Sequence, residues 1–170
     1  EYHSTMPCVA LISFDNAEDF FNDSDEAYSE IVASVETSLQ KWAAEYNALY
    51  KRVGTNRYMI IFKDSDIDKM TAAKFPILKT IRSINANHLT ATISVGLSRG
   101  EKLIKDSEMN ARKALEMALG RGGDQVAILS NNSYEFFGGK AAATEKVSKV
   151  RMRVIANALS RAVCDADKVF

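Results

Sequence analysis

The chain is 170 residues long, the size of one domain with a short appendage, and its 46 % apolar and 26 % charged residues suit a chain that buries a core. Twenty-two Lys and Arg balance twenty-two Asp and Glu, which removes bulk electrostatics as a reason to expect nucleic-acid or anionic-membrane binding. No apolar run approaches the roughly 20 residues that span a bilayer, and Cys8 and Cys164 are too few and too far apart for a disulfide scaffold, which fits a reduced cytosolic setting.

Residues 7–14, PCVALISF, form a nearly continuous apolar run too short for a helix and read as a buried central strand. An acidic stretch over 15–25 leads into a helix. There Tyr28, Ile31, Val32, Val35, Leu39, Trp42, Tyr46 and Leu49 recur at helical spacing, long enough for one helix or two in succession. Residues 50–53, the turn Gly54-Thr55-Asn56 and residues 57–62 read as strand, tight turn, strand. Pro76 suits the first position of a helix running to about residue 85. Residues 89–98, LTATISVGLS, alternate β-branched residues and predict one strand. Ile104, Ser107, Ala111, Ala114, Leu115 and Ala118 mark the inner face of another helix, with Gly120 as its stop. Short strands follow at 125–129 and 134–137. Val147, Val150, Val154, Ala158 and Ala162 share one face of a terminal helix. The order, a split βαβ layout with an inserted hairpin, belongs to the ferredoxin-like α+β sandwiches.

Four stretches carry more than fold. They are Phe14-Asp15-Asn16 after the first strand, the hairpin Gly54-Thr55-Asn56-Arg57-Tyr58, Ser94-Val95-Gly96, and the helix-to-strand junction 114–126. In this order and spacing they resemble the GGDEF domain of nucleotide second-messenger cyclases. A narrower resemblance adds FDN at 14–16, Trp42-Ala43, ALGRGGDQVA at 118–127, FGGK at 137–140 and VRMRVIANAL at 150–159. The chain is similar to the degenerate GGDEF domain of the membrane-anchored cyclic-di-AMP phosphodiesterases. That resemblance implies a nucleotidyl-cyclase-type sandwich with a mainly antiparallel central sheet over 1–137. Residues 138–170 become a linker and helix leading into a truncated DHH domain. It also implies a bacterial parent anchored to the plasma membrane, with PAS, DHH and DHHA1 domains on the same chain and this domain on the cytosolic side. The start at Glu1-Tyr2 and the end at Val169-Phe170 read as a piece of that longer chain.

In the cyclases of the wider family, two carboxylates hold divalent metal beside the triphosphate, one at the end of the first strand and one in the hairpin. The hairpin position is Arg57 here, and a guanidinium repels a divalent cation. Asp15 matches either acidic position of the family's D-x-D; if it is the second, the metal-ligating position is Ser13. The resemblance carries the phosphate-binding lysine onto Lys113, with Met117 where its basic partner belongs. It therefore implies no diguanylate cyclase activity, no catalytic residue and no resident metal. What it does imply is a regulatory domain that takes ATP, with Mg²⁺ as the nucleotide's companion, and hydrolyses it feebly. Asp15, Asn16, Asn56, Arg57 and Lys113 are its candidate nucleotide-binding residues. The alternative is a ligand-free structural or dimerising module that relays PAS signals to the DHH domains.

The remaining features have bland readings. Gly120-Arg121-Gly122-Gly123-Asp124 lacks a G-K-[ST] ending and follows a helix rather than opening one, so it is a helix stop and turn, not a phosphate loop. His3 and His88 are two scattered surface residues, too few for a two-metal phosphodiesterase site. Asp19, Asp23, Asp25 and Glu26 suit a solvated helix start.

Overall fold

The computed structural model describes residues 6–21, 24–86 and 88–139. Its elements are β1 (Pro7–Phe14), α1 (Ala17–Phe21), α2 (Asp25–Glu45), β2 (Leu49–Gly54), β3 (Arg57–Lys63), α3 (Asp64–Ala72), α4 (Ile77–Arg82), β4 (Asn85–Ala86), β5 (Leu89–Thr90), β6 (Ile93–Arg99), α5 (Ile104–Gly120), β7 (Gln125–Ser130) and β8 (Ser133–Gly138). Among the described residues, six strands form one sheet in the order β2-β3-β1-β6-β7-β8, and β4 pairs β5 in a separate ribbon. Only β6 and β7, joined by the α5 crossover, run parallel; the other sheet pairs are antiparallel. The expected α+β sandwich with a mainly antiparallel centre is the observed architecture.

The strand run at 7–14 is apolar but for Ser13 because both of its faces are covered. Cys8, Ala10, Ile12 and Phe14 enter the larger core with Ile31, Val35, Leu39 and Trp42 of α2, while Val9 and Leu11 face Ala111 and Leu115 of α5. Strand β6 sorts its side chains by size instead. Ile93, Val95 and Leu97 fill the α2 side, and Gly96 on the opposite face lies against the backbone of α5. A Cβ added at Gly96 would overlap the Leu115 amide and the Ala111 carbonyl. The inner face of α5, Ala111, Ala114 and Ala118, is correspondingly small. The helix thus lies almost on the sheet.

Several boundaries differ from expectation, each for a local reason. The helix expected from residue 26 is a single helix from Asp25, capped by the Ser24 hydroxyl accepting from the Ala27 amide at 3.1 Å. It ends at Glu45, where Asn47 turns to φ 49°, so Leu49 belongs to β2 and is 71 % exposed. The helix starting after Pro76 stops at Arg82, and Asn85–Ala86 becomes a strand. The strand expected over 89–98 is broken: Leu89–Thr90 leaves for the small ribbon and only Ile93–Arg99 joins the sheet. Helix α3 was not expected at all. Its DSDIDKMTA sequence offers only Ile67 and Met70 as apolar core residues. Its first residue, Asp64, receives Arg99 Nε at 2.7 Å and Nη2 at 3.0 Å, and the same guanidinium reaches Asp68 at 2.7 Å. Burial, then the neighbouring Asp64 carboxylate, pushes the Cys8 thiol up to about 12. His88 is exposed, as expected. Among the described residues no helix is long and apolar enough to cross a membrane. The terminal helix expected over 147–162 lies outside the described residues, as does His3.

The seating of α5 on Gly96 is directly testable. Gly96→Ala is expected to destabilise the chain by at least about 2 kcal/mol, because the clash is with backbone rather than a side chain that can swing away. Urea unfolding followed by circular dichroism measures this; a loss under 0.5 kcal/mol would contradict the close approach.

Candidate functional site

The four stretches singled out in the sequence converge at one end of the sheet, where β1 ends and β3, β6 and β7 begin. The hairpin reaches it through a bulge at Val53 and a two-residue turn, Thr55-Asn56, with Asn56 at φ 56°. Asparagine tolerates that left-handed backbone better than most residues. The Asn56 carbonyl accepts the Phe14 amide at 3.0 Å, and its side-chain oxygen accepts the Tyr28 hydroxyl at 3.2 Å. The hairpin tip is thereby tied to the end of β1 and to the first turn of α2.

Asn16 fastens the next segment. Its Oδ1 accepts from the Thr92 amide at 3.0 Å and the Thr92 hydroxyl at 3.2 Å, and its Nδ2 donates to the Thr90 carbonyl at 2.8 Å. The Asp15 amide adds a bond to the Thr92 carbonyl at 2.9 Å. This grip explains why the strand expected over 89–98 breaks at Ala91-Thr92.

Asp15 makes a joint of its own. Its Oδ2 accepts the Ser94 hydroxyl at 2.8 Å and the Asp124 amide at 2.9 Å. Gly123, at φ 73°, makes this possible, since a Cβ there would stand 2.9 Å from the same oxygen. The Asp124 carboxylate, 4 % exposed, is in turn held by Arg82 Nε at 2.9 and 3.0 Å, with Arg82 Nη2 on the Asp124 carbonyl at 3.1 Å. The glycine-rich junction is a helix stop, as read from its sequence: the Gly122 and Gly123 amides return to the Leu119 and Ala118 carbonyls.

Ser13 and Arg57 sit directly opposite each other on β1 and β3. Beside them a groove of about 460 Å³ runs between the hairpin and α5, floored by Leu11, Met59, Leu115 and Leu119. Its charged lining is Arg57 from β3 and Glu108, Arg112 and Glu116 from α5. Of the five candidate residues, the structure brings Asp15, Asn16, Asn56 and Arg57 to one end of the sheet. Lys113 is not part of the groove lining; it is exposed on α5 with its Nζ 3.4 Å from Asn110 Oδ1. The groove residues of α5 escaped the sequence reading, although the four-residue spacing of Glu108, Arg112 and Glu116 places them on one helix face.

The Asp15 joint has a measurable worth. Asp15→Ala takes the acceptor from the Ser94 hydroxyl and leaves the Asp124 amide only its 3.1 Å bond to Ser94 Oγ, and is expected to cost about 1–3 kcal/mol in chemical unfolding. A neutral result would mean that these bonds do not hold the end of the sheet together.

Comparisons with known proteins agree with this geometry. The family model "Cyclic-di-AMP phosphodiesterase GdpP-like, GGDEF domain" matches residues 12–136. The chain is 34 % identical over 164 residues to the cyclic-di-AMP phosphodiesterase GdpP of Geobacillus thermodenitrificans, covering 95 % of this chain and 25 % of that protein. It is 33 % identical to GdpP of Bacillus subtilis, over 99 % of this chain and 26 % of the relative. It is 32 % identical to the cyclic-di-AMP phosphodiesterase PdeA of Listeria monocytogenes, over its whole length and 26 % of that protein. The chain thus spans about a quarter of the length of these relatives. Among solved structures, the GGDEF domain of DgcB from Caulobacter crescentus in complex with c-di-GMP superposes with a TM-score of 0.63 at 17 % identity, over 75 % of this chain and 78 % of that one. The active GGEEF domain of a Vibrio cholerae diguanylate cyclase gives 0.63 at 16 % identity, over 74 % and 85 %. With that family model matched over residues 12–136 and a relative 34 % identical over 95 % of this chain, the chain belongs to the GGDEF domains of the GdpP-like cyclic-di-AMP phosphodiesterases.

Proposed function

We propose that this domain is a regulatory nucleotide-binding module of a cyclic-di-AMP phosphodiesterase, that it takes ATP, and that it has lost diguanylate cyclase chemistry. The observation that carries this reading is the cross-strand pair Ser13–Arg57. Asp15 is drawn into the Ser94–Asp124 joint, which favours it as the second acid of D-x-D and leaves Ser13 at the metal position. The two places where cyclases hold metal carboxylates then carry a hydroxyl and a guanidinium. Such a donor set does not fit a divalent cation, which needs anionic oxygens. A guanidinium does suit phosphate oxygens, with which it forms charge-assisted paired hydrogen bonds. Asn16 and Asn56, both engaged by neighbouring backbone or side chains, hold the loops around the site in place.

In this reading the phosphodiesterase chemistry, the PAS and DHH partners and the membrane anchor belong to the rest of a longer chain. Nucleotide occupancy would be felt where the described chain leaves the sheet. A Cβ at Gly138 would stand 3.3 Å from the Asp124 carbonyl, so the exit strand lies beside the joint that Asp15 makes.

Incubation with GTP and Mg²⁺ or Mn²⁺ is expected to yield no cyclic-di-GMP by mass spectrometry above a boiled control. In parallel, ATP is expected to raise the melting temperature in the millimolar range. Product formation would overturn the loss of cyclase chemistry. No ATP response at millimolar concentration would favour the structural or dimerising module instead.

A further inference from the structure

The groove beside the hairpin has a second guanidinium that the family resemblance did not supply. Arg112 projects from α5 into the same cavity that Arg57 lines from β3. Two arginines on opposite walls of a cavity of about 460 Å³ can grip a polyphosphate from both sides, and the volume is ordinary for a nucleotide-sized ligand. Arg112 is held by Glu108, one turn earlier, at 2.9 Å; the side chains are 63 % and 40 % exposed. Exposed pairs of this kind are weak, so a phosphate can displace the carboxylate at little cost. Glu116, one turn further on, lines the same groove and balances its charge. The four charges of the lining cancel, and drawing Arg112 from Glu108 frees its guanidinium to face a phosphate.

We propose that Arg112, not Lys113, is the second phosphate-binding cation of this domain, and that Glu108 holds it in reserve by competing with the nucleotide's phosphates. The proposal rests on the nucleotide-binding reading above and goes beyond it by naming the grip and its competitor. Lys113, adjacent in sequence, is turned about 100° around the helix axis from Arg112 and is absent from the groove lining.

The test uses the 170-residue chain, with ATP and inorganic tripolyphosphate as probes in isothermal titration at two salt concentrations. Arg112→Ala is expected to weaken both probes about tenfold and to flatten the salt dependence of binding, as removal of one charged hydrogen-bonded contact does. Glu108→Gln is expected to tighten both about twofold, the effect of removing a weak competing ion pair. A merely structural role for Arg112 would not produce that gain. Circular dichroism of each variant confirms that the fold is kept. Unchanged affinity in Arg112→Ala, weaker binding in Glu108→Gln, or a loss in Lys113→Ala with none in Arg112→Ala would each overturn this inference while leaving nucleotide binding standing. No binding of either probe by the wild type would overturn both readings.

Discussion

The Asp15 carboxylate is the fastening on which this end of the molecule depends. One oxygen gathers the Ser94 hydroxyl of β6 and the Asp124 amide at the start of β7, so three strands are pinned within one hydrogen-bond radius. The bond to Asp124 forces a glycine at 123 and draws in Arg82 from α4. A carboxylate accepting such bonds is well used structurally, and its engagement by neutral donors lowers its freedom to ligate a cation.

The wider fold follows from a sheet covered on both faces. On the α2 side, large residues such as Phe62, Leu39, Trp42 and Ile93 fill the space between helix and sheet. On the α5 side, Gly96 and the alanines of the helix leave almost no space. Helix α5 does not reach across the outer strands, so the floor between it and the hairpin stays open as the groove. The candidate site is therefore a by-product of how small residues let one helix sink onto three strands rather than six.

Much of this was legible in the chain. The β1 run, the Gly54–Asn56 turn and the small-residue face of α5 each follow from a local pattern with one physical reading. What was not legible depends on partners remote in sequence. The break at Ala91-Thr92 is imposed by Asn16, 76 residues away, and no β propensity within LTATISVGLS reports it. Helix α3 is anchored by only two fully buried apolar residues, Ile67 and Met70, and by the Arg99 guanidinium on Asp64 and Asp68, more than thirty residues downstream, so its own sequence carries little periodic signal. The gathering of Asp15, Asn56 and Arg57 at one end of the sheet is legible because they flank turns that a motif can mark. The place of Arg112 in the groove lining is not marked by any motif, because helix residues next to each other in sequence face directions about 100° apart.

The central claim is that phosphate neutralisation by arginine takes the place of metal held by carboxylates, with Arg57 opposite Ser13 as its clearest sign. The most direct measurement compares ATP affinity in excess Mg²⁺ with affinity in EDTA at matched ionic strength. If arginines neutralise the phosphates, the two values agree within about threefold, since no protein carboxylate pair is waiting for the metal. Binding that appears only with Mg²⁺ and vanishes in EDTA would show that the arginines do not neutralise the phosphates by themselves and contradict the account.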